Sequence, residues 1–249
     1  MRIILLISIF ITVTSCSVIK HNRFIEEPKY NKDDSLYFKH YAYSFLYNEE
    51  IEQSDWVSYQ LLVSELEANY KRTNNFYEDT LVITGTATNA DYKYSGYDKG
   101  HLAPAADMTW NKQAMKESFY FSNISPQLPE FNRGIWKKLE TKVRKWAEKY
   151  YCLYITTGPI FENTDKTIGI NEVVIPTHFF KTILIYNDSI MQGIGFLFPH
   201  EKCNEEIIDY AVSIDRLEII TGNDFYHLLP NRHEKDIEMQ FDLKFWEEK

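Results

Sequence analysis

Between Tyr97 and Pro104 the chain reads Tyr-Asp-Lys-Gly-His-Leu-Ala-Pro, placing a carboxylate, a cation and an imidazole within four positions around one glycine. Further on, Ile135, Leu139, Val143, Trp146 and Tyr150 recur at the spacing of an amphipathic helix. That stripe predicts a helix over 132–150, with the amide of Asn132 at its start and the carboxylate of Glu140 inside it. Few purely structural segments need this set of polar groups. A hydrated divalent metal and a phosphodiester would use all of it.

The rest of the chain predicts one α+β domain. The 249 residues are 44% hydrophobic and 16% aromatic, with 9 Gly and 8 Pro, a globular composition long enough for a sizeable core. Trp56 to Val63 alternates as a strand, with Val57, Tyr59, Leu61 and Val63 on one face. Leu81–Thr84 is a second short strand candidate, and 89–97 is rich in turn formers. Residues 112–118 read as a helix. Strands are expected at 153–157, 173–175, 179–186 and 190–198. Ser213 and Gly222 suit the two ends of a helix over 214–221. No repeat or internal linker interrupts 36–249, so a central antiparallel sheet flanked by helices is the simplest architecture.

The N-terminus reads differently. Met1-Arg2 and an apolar run to Val13 lead into Thr14-Ser15-Cys16, the pattern of a secretory signal peptide ending at a cysteine. It resembles a bacterial lipoprotein signal, with residues 1–15 removed and Cys16 carrying the lipid. Residues 16–35 are polar enough to serve as a tether, and 36–249 as the domain. On this reading the protein is lipid-anchored in a bacterial cell envelope and contacts the membrane through that lipid. Cys152 and Cys203 remain beyond it; they could pair in an oxidising compartment or stay free.

The formal charge is −9, but it is unevenly spread. Residues 70–150 carry 13 Lys+Arg against 9 Asp+Glu, and the remainder 14 against 27. The segment with the polar motif is therefore locally basic, which suits a polyanion better than the total charge suggests.

The chemistry that would use this set is phosphodiester hydrolysis. Such a reaction needs a base for water, positive charge on the phosphoryl and leaving oxygens, and a clamp that holds the group in line. A neutral His at ~6.5 suits the first task, and His101 is the candidate base. A divalent cation suits the second. Asn132 can ligate through its amide oxygen or can cap its helix. Glu140 can reach metal-bound water or can pair with Arg144 at i,i+4.

These residues carry a resemblance. Asp98-Lys99-Gly100-His101, Ser122-Asn123-Ile124-Ser125-Pro126-Gln127, Phe131-Asn132-Arg133-Gly134-Ile135-Trp136 and Leu139-Glu140 resemble the DNA/RNA non-specific endonuclease family, in that order and spacing. Arg72 to Phe76 resembles its upstream arginine segment, and the likeness runs from about residue 55 to 229. The resemblance implies a ββα-metal (His-Me finger) fold. It implies His101 as general base and Asn132 as the direct ligand of a hydrated Mg²⁺, with Mn²⁺ or another divalent ion as a substitute. It places Glu140 in the metal's water shell, and Arg72, Lys99 and Asn123 near the phosphate. DNA and RNA are the implied partners, and a homodimer is one assembly such relatives adopt. One departure is Lys99, where the family usually has Arg: charge is kept but the planar fork is lost. Two other readings stay open, a surface lipoprotein that binds nucleic acid without cutting it, and a phosphodiesterase of the same fold acting on small nucleotides.

Overall fold

The computed structural model describes residues 25–30 and 36–247. The predicted signal and Cys16 lie outside the described residues. Eleven strands are present among them: β1 (Tyr37–Lys39), β2 (Ser44–Asn48), β3 (Gln53–Leu62), β4 (Asp98–His101), β5 (Ile124–Gln127), β6 (Cys152–Ile160), β7 (Thr167–Ile168), β8 (Val173–Val174), β9 (His178–Tyr186), β10 (Met191–Pro199) and β11 (Ala211–Val212). Seven of them form one antiparallel sheet in the order β1-β2-β3-β6-β9-β10-β11.

Alternation along the central strands sorts their side chains onto two faces. Val57, Tyr59, Leu61, Leu153, Ile155, Phe179, Ile183 and Ile185 build one core with Leu139, Val143 and Trp146 of the helix Lys137–Tyr150. Trp56, Tyr154, Phe180 and Leu184 point the other way, against Ile214, Leu217 and Ile237 of the helices Ile214–Thr221 and Asn231–Met239. The sheet is thus covered on both faces by helices on different stretches of chain. Ser213 Oγ accepts the Arg216 N–H at 3.2 Å and Gly222 adopts φ 71°, so the first of these C-terminal helices begins and ends where its caps predict.

Three expectations are corrected, and the question left open for the two cysteines is answered. Leu81–Thr84 is a turn, because Asp79 Oδ1 accepts the Leu81 N–H at 3.0 Å and folds the chain back. Asn89–Tyr92 is a short helix, started by Thr88 and Asp91, which bond each other's backbone. Residues 25–30 are not tether: Ile25 is buried in the second core, and Lys29 pairs its backbone with Asp224. Cys152 and Cys203 are free thiols.

Candidate active site

The motif forms a hairpin-like pair apart from the main sheet. Strand β4 runs antiparallel to β5, with Asp98 opposite Gln127 and His101 opposite Ile124. Gly100 makes this possible, since a Cβ there would overlap the Gln127 side chain. Two serines fasten the pair to β3: Ser125 Oγ donates to Gln53 Oε1 at 2.6 Å, and Ser54 Oγ donates to the Ser122 carbonyl at 2.6 Å. The chain then enters a helix at Pro129. It kinks at Gly134, whose backbone (φ -97°, ψ -113°) is not helical, before the α-helix Lys137–Tyr150. Asn132 is therefore no N-cap of the long helix; it has helical backbone angles two residues before the Gly134 kink, and its side chain bonds Asp98 of β4.

Asp98 joins the two halves. Asn132 Nδ2 donates to Asp98 Oδ2 at 2.9 Å, and Arg133 donates to both Asp98 oxygens at 2.8 and 2.6 Å. Against the cost of partial burial, these bonds hold the Asp98 carboxyl below its usual range. Asn132 lines the cleft, and with its nitrogen committed to Asp98 the amide oxygen is the atom left to accept there. Trp136 Nε1 donates to the His101 carbonyl at 3.3 Å, a second tie between helix and strand.

His101 lies between Phe76 and Phe119, ring centroids 5.6 and 4.8 Å away, and is only 7% exposed. Burial, and then the nearby charge of Arg72, push the imidazole down to about 3, so it is neutral at physiological pH. Its buried Nε2 has no hydrogen-bond partner among the described residues. Arg72 stacks on Phe119, with its guanidinium carbon 5.4 Å from the ring centroid, and Lys99 Nζ sits 4.4 Å from that of Phe76 while donating to Asn89 at 2.7 Å.

Arg72, Lys99, His101, Asn132 and Glu140 all line one open cleft of about 550 Å³, together with Phe76, Asp98, Arg133, Lys137 and Arg144. Glu140 does not take the i,i+4 pair with Arg144. Arg144 instead donates to the buried Asp107 at 2.9 Å, and Tyr59 Oη donates to the same carboxylate at 3.0 Å. Behind Glu140 lies Lys181, fully buried, its Nζ 4.8 Å from the Trp136 ring centroid. Burial raises Glu140 and lowers Lys181, and each charge opposes the other's shift.

Asn123 departs from expectation. It is wholly buried and does not line the cleft. Its Oδ1 accepts the Ala103 N–H, and its Nδ2 donates to the Ala103 and Ser118 carbonyls, each at 2.9 Å. It clamps the chain just after His101 and does not face a phosphate. Arg133, Lys137 and Asp107 were not singled out from the sequence; Asp107 in Ala-Ala-Asp-Met gives no local signal. Lys181 does give one, as a single charge in the apolar run Phe179–Ile185.

The donor set in the cleft, one amide oxygen and one nearby carboxylate, suits a cation that keeps most of its water. The acidic triplets with metal-binding spacing lie elsewhere, on the C-terminal helices.

The sequence profile described as DNA/RNA non-specific endonuclease matches residues 21–232. The chain belongs to that family, a family of nucleases. It is 38% identical over 196 residues to bovine (Bos taurus) "Endonuclease G, mitochondrial", a match covering 73% of this chain and 66% of the relative. It is 31% identical over 252 residues to the "Mitochondrial nuclease" of Saccharomyces cerevisiae, covering 87% of this chain and 77% of that one. The EndoG structure in a complex described as showing the mechanism of EndoG inhibition by EndoGI superposes with a TM-score of 0.74 at 26% identity, over 82% of this chain and 89% of that one. That likeness establishes the ββα-metal nuclease fold. The names of the relatives also correct the localisation expected from the N-terminus: they point to mitochondria, and the bacterial-envelope assignment is withdrawn.

Proposed function

We propose that the chain is a divalent-metal-dependent endonuclease that hydrolyses phosphodiester bonds in both DNA and RNA. The observation that carries this reading is the convergence of a neutral, buried imidazole, an amide oxygen made available by Asp98, and several cations in one open cleft.

His101 is the general base in this reading. Burial keeps the ring unprotonated across the physiological range, the form a base must have, and its packing between two aromatic rings fixes its orientation. Asn132 would hold a hydrated Mg²⁺ through its oxygen, and Glu140 would bond the water around it. Bound there, the ion supplies charge neutralisation at the phosphoryl group and the leaving oxygen. Arg72 and Lys99 bind phosphate oxygens from the β4 side of the cleft, with Arg133 and Lys137 on its helical rim. None of these residues contacts a base or a sugar by necessity of its chemistry, which favours tolerance of sequence and of sugar type.

Purified protein incubated with plasmid DNA and with RNA should cut both in Mg²⁺ and neither in EDTA. His101→Ala should lower turnover by ~10²–10⁴-fold while nucleic-acid binding persists. Retained turnover in that variant would remove His101 from its role. Failure of the wild type to cut either polymer with any divalent ion would leave only binding or a small-nucleotide substrate.

A further inference from the structure

On the opposite face of the sheet from the cleft, five carboxylates converge between two helices. Asp215 and Glu218 lie on Ile214–Thr221, Glu234 and Glu238 on Asn231–Met239, and Asp224 in the connection between them. One oxygen from each of Asp215, Glu218 and Glu238 lies within 4.8 Å of the others, and the same holds for Asp224, Glu234 and Glu238. Glu238 is common to both groups. It is only 7% exposed, and its buried Oε1 has no hydrogen-bond partner among the described residues.

An unpartnered carboxylate oxygen in such a place costs free energy unless something positive meets it. Burial first, and then the charges of Glu218, Glu234, Asp215 and Asp224, push Glu238 up to about 8. Glu218 rises to about 7 for the same reasons, although one of its oxygens accepts the Phe225 N–H at 2.7 Å. Lys29 offsets part of the charge at Glu234, on the outer side of the cluster.

We propose that these carboxylates form a Ca²⁺ site, with Glu238 as the shared ligand and Asp215 with Glu218, or Asp224 with Glu234, completing the protein donors. Ca²⁺ takes six to eight hard oxygens at ~2.3–2.6 Å. Two oxygens on opposite sides of the ion then lie up to ~5 Å apart, a span that contains the observed 4.8 Å limit. Mg²⁺ demands a tighter octahedron and gives up its water reluctantly. The ion would staple the two helices, whose apolar sides already meet at Ile214, Leu217 and Ile237. It is separated from the catalytic cleft by the sheet, so its role is structural.

Isothermal titration calorimetry and thermal melting of the full chain with CaCl₂ test this, in an Asn132→Ala background that removes the cleft's ligand. One saturable Ca²⁺ equivalent and a melting temperature that rises with Ca²⁺ are expected. Glu238→Gln should weaken Ca²⁺ binding by at least ~10-fold while cleavage in Mg²⁺, measured with Asn132 intact, stays near the wild-type rate. Asp215→Asn and Asp224→Asn provide the same test if Glu238→Gln does not fold; at least one must weaken binding by a similar factor. No heat and no thermal shift with Ca²⁺, or binding undiminished in all three variants, overturns the site.

Discussion

Burial decides the protonation of His101, and with it two measurable pH dependences. Its folded value of about 3 lies below the ~6.5 of an exposed imidazole, so the unfolded chain takes up a proton that the native state refuses. The stability contributed by the neutral ring is therefore intact above ~6.5 and is lost as pH falls towards about 3, on the order of 4 kcal/mol across that window. Urea unfolding between pH 7 and 4 should show a steep acid limb that flattens in His101→Leu. The second residue to test is Asp98, which touches no substrate in the proposed reaction but holds the Asn132 nitrogen. Asp98→Ala should raise the Mg²⁺ concentration for half-maximal activity by ~10–100-fold, with a smaller change at saturating Mg²⁺. Lys99→Arg should preserve or raise activity, because the aromatic face of Phe76 that now carries an ammonium accepts a guanidinium equally well. A large loss on that change would show that the position depends on the compactness of lysine.

Among the elements, β4 is the one that tolerates least. Gly100→Ala would push a methyl group into the buried Gln127 side chain. We expect a cost of ~1–3 kcal/mol in stability and a matching fall in activity as His101 shifts. The motif, the helix stripe and the caps of 214–221 were all legible in the sequence, because each rests on spacing or chemistry local to a few residues. The break at Gly134 had a local signal, a glycine inside a helical pattern, but the way the kinked segment docks on β4 through Asp98 and His101 is set by tertiary bonds and was not legible. Asn123 misled for the opposite reason. Its whole motif, 122–127, is buried behind the cleft, and a buried amide with three backbone partners is invisible without the fold. The Arg144 partner was likewise decided at long range, by Asp107 and not by the helix neighbour four residues away.

At the scale of the whole molecule, charge is divided by the sheet. One side carries the cationic cleft, and the other carries the acidic helices. Cleavage should therefore weaken as salt rises, with log kcat/KM falling linearly against log salt concentration. Lys137→Glu at the cleft rim should raise KM for DNA and RNA alike and reduce that slope by about 1. The acidic face, in turn, should keep long polyanions from lying across both sides of the molecule. The tie from the Trp136 indole to the His101 carbonyl has a further consequence for heat inactivation. Strand β4, with His101, and the helical run, with Asn132, are riveted to one another at two points, so neither can drift off while the remainder stays intact. On warming, catalytic death and cooperative melting should arrive together, leaving no window in which an intact but idle enzyme accumulates.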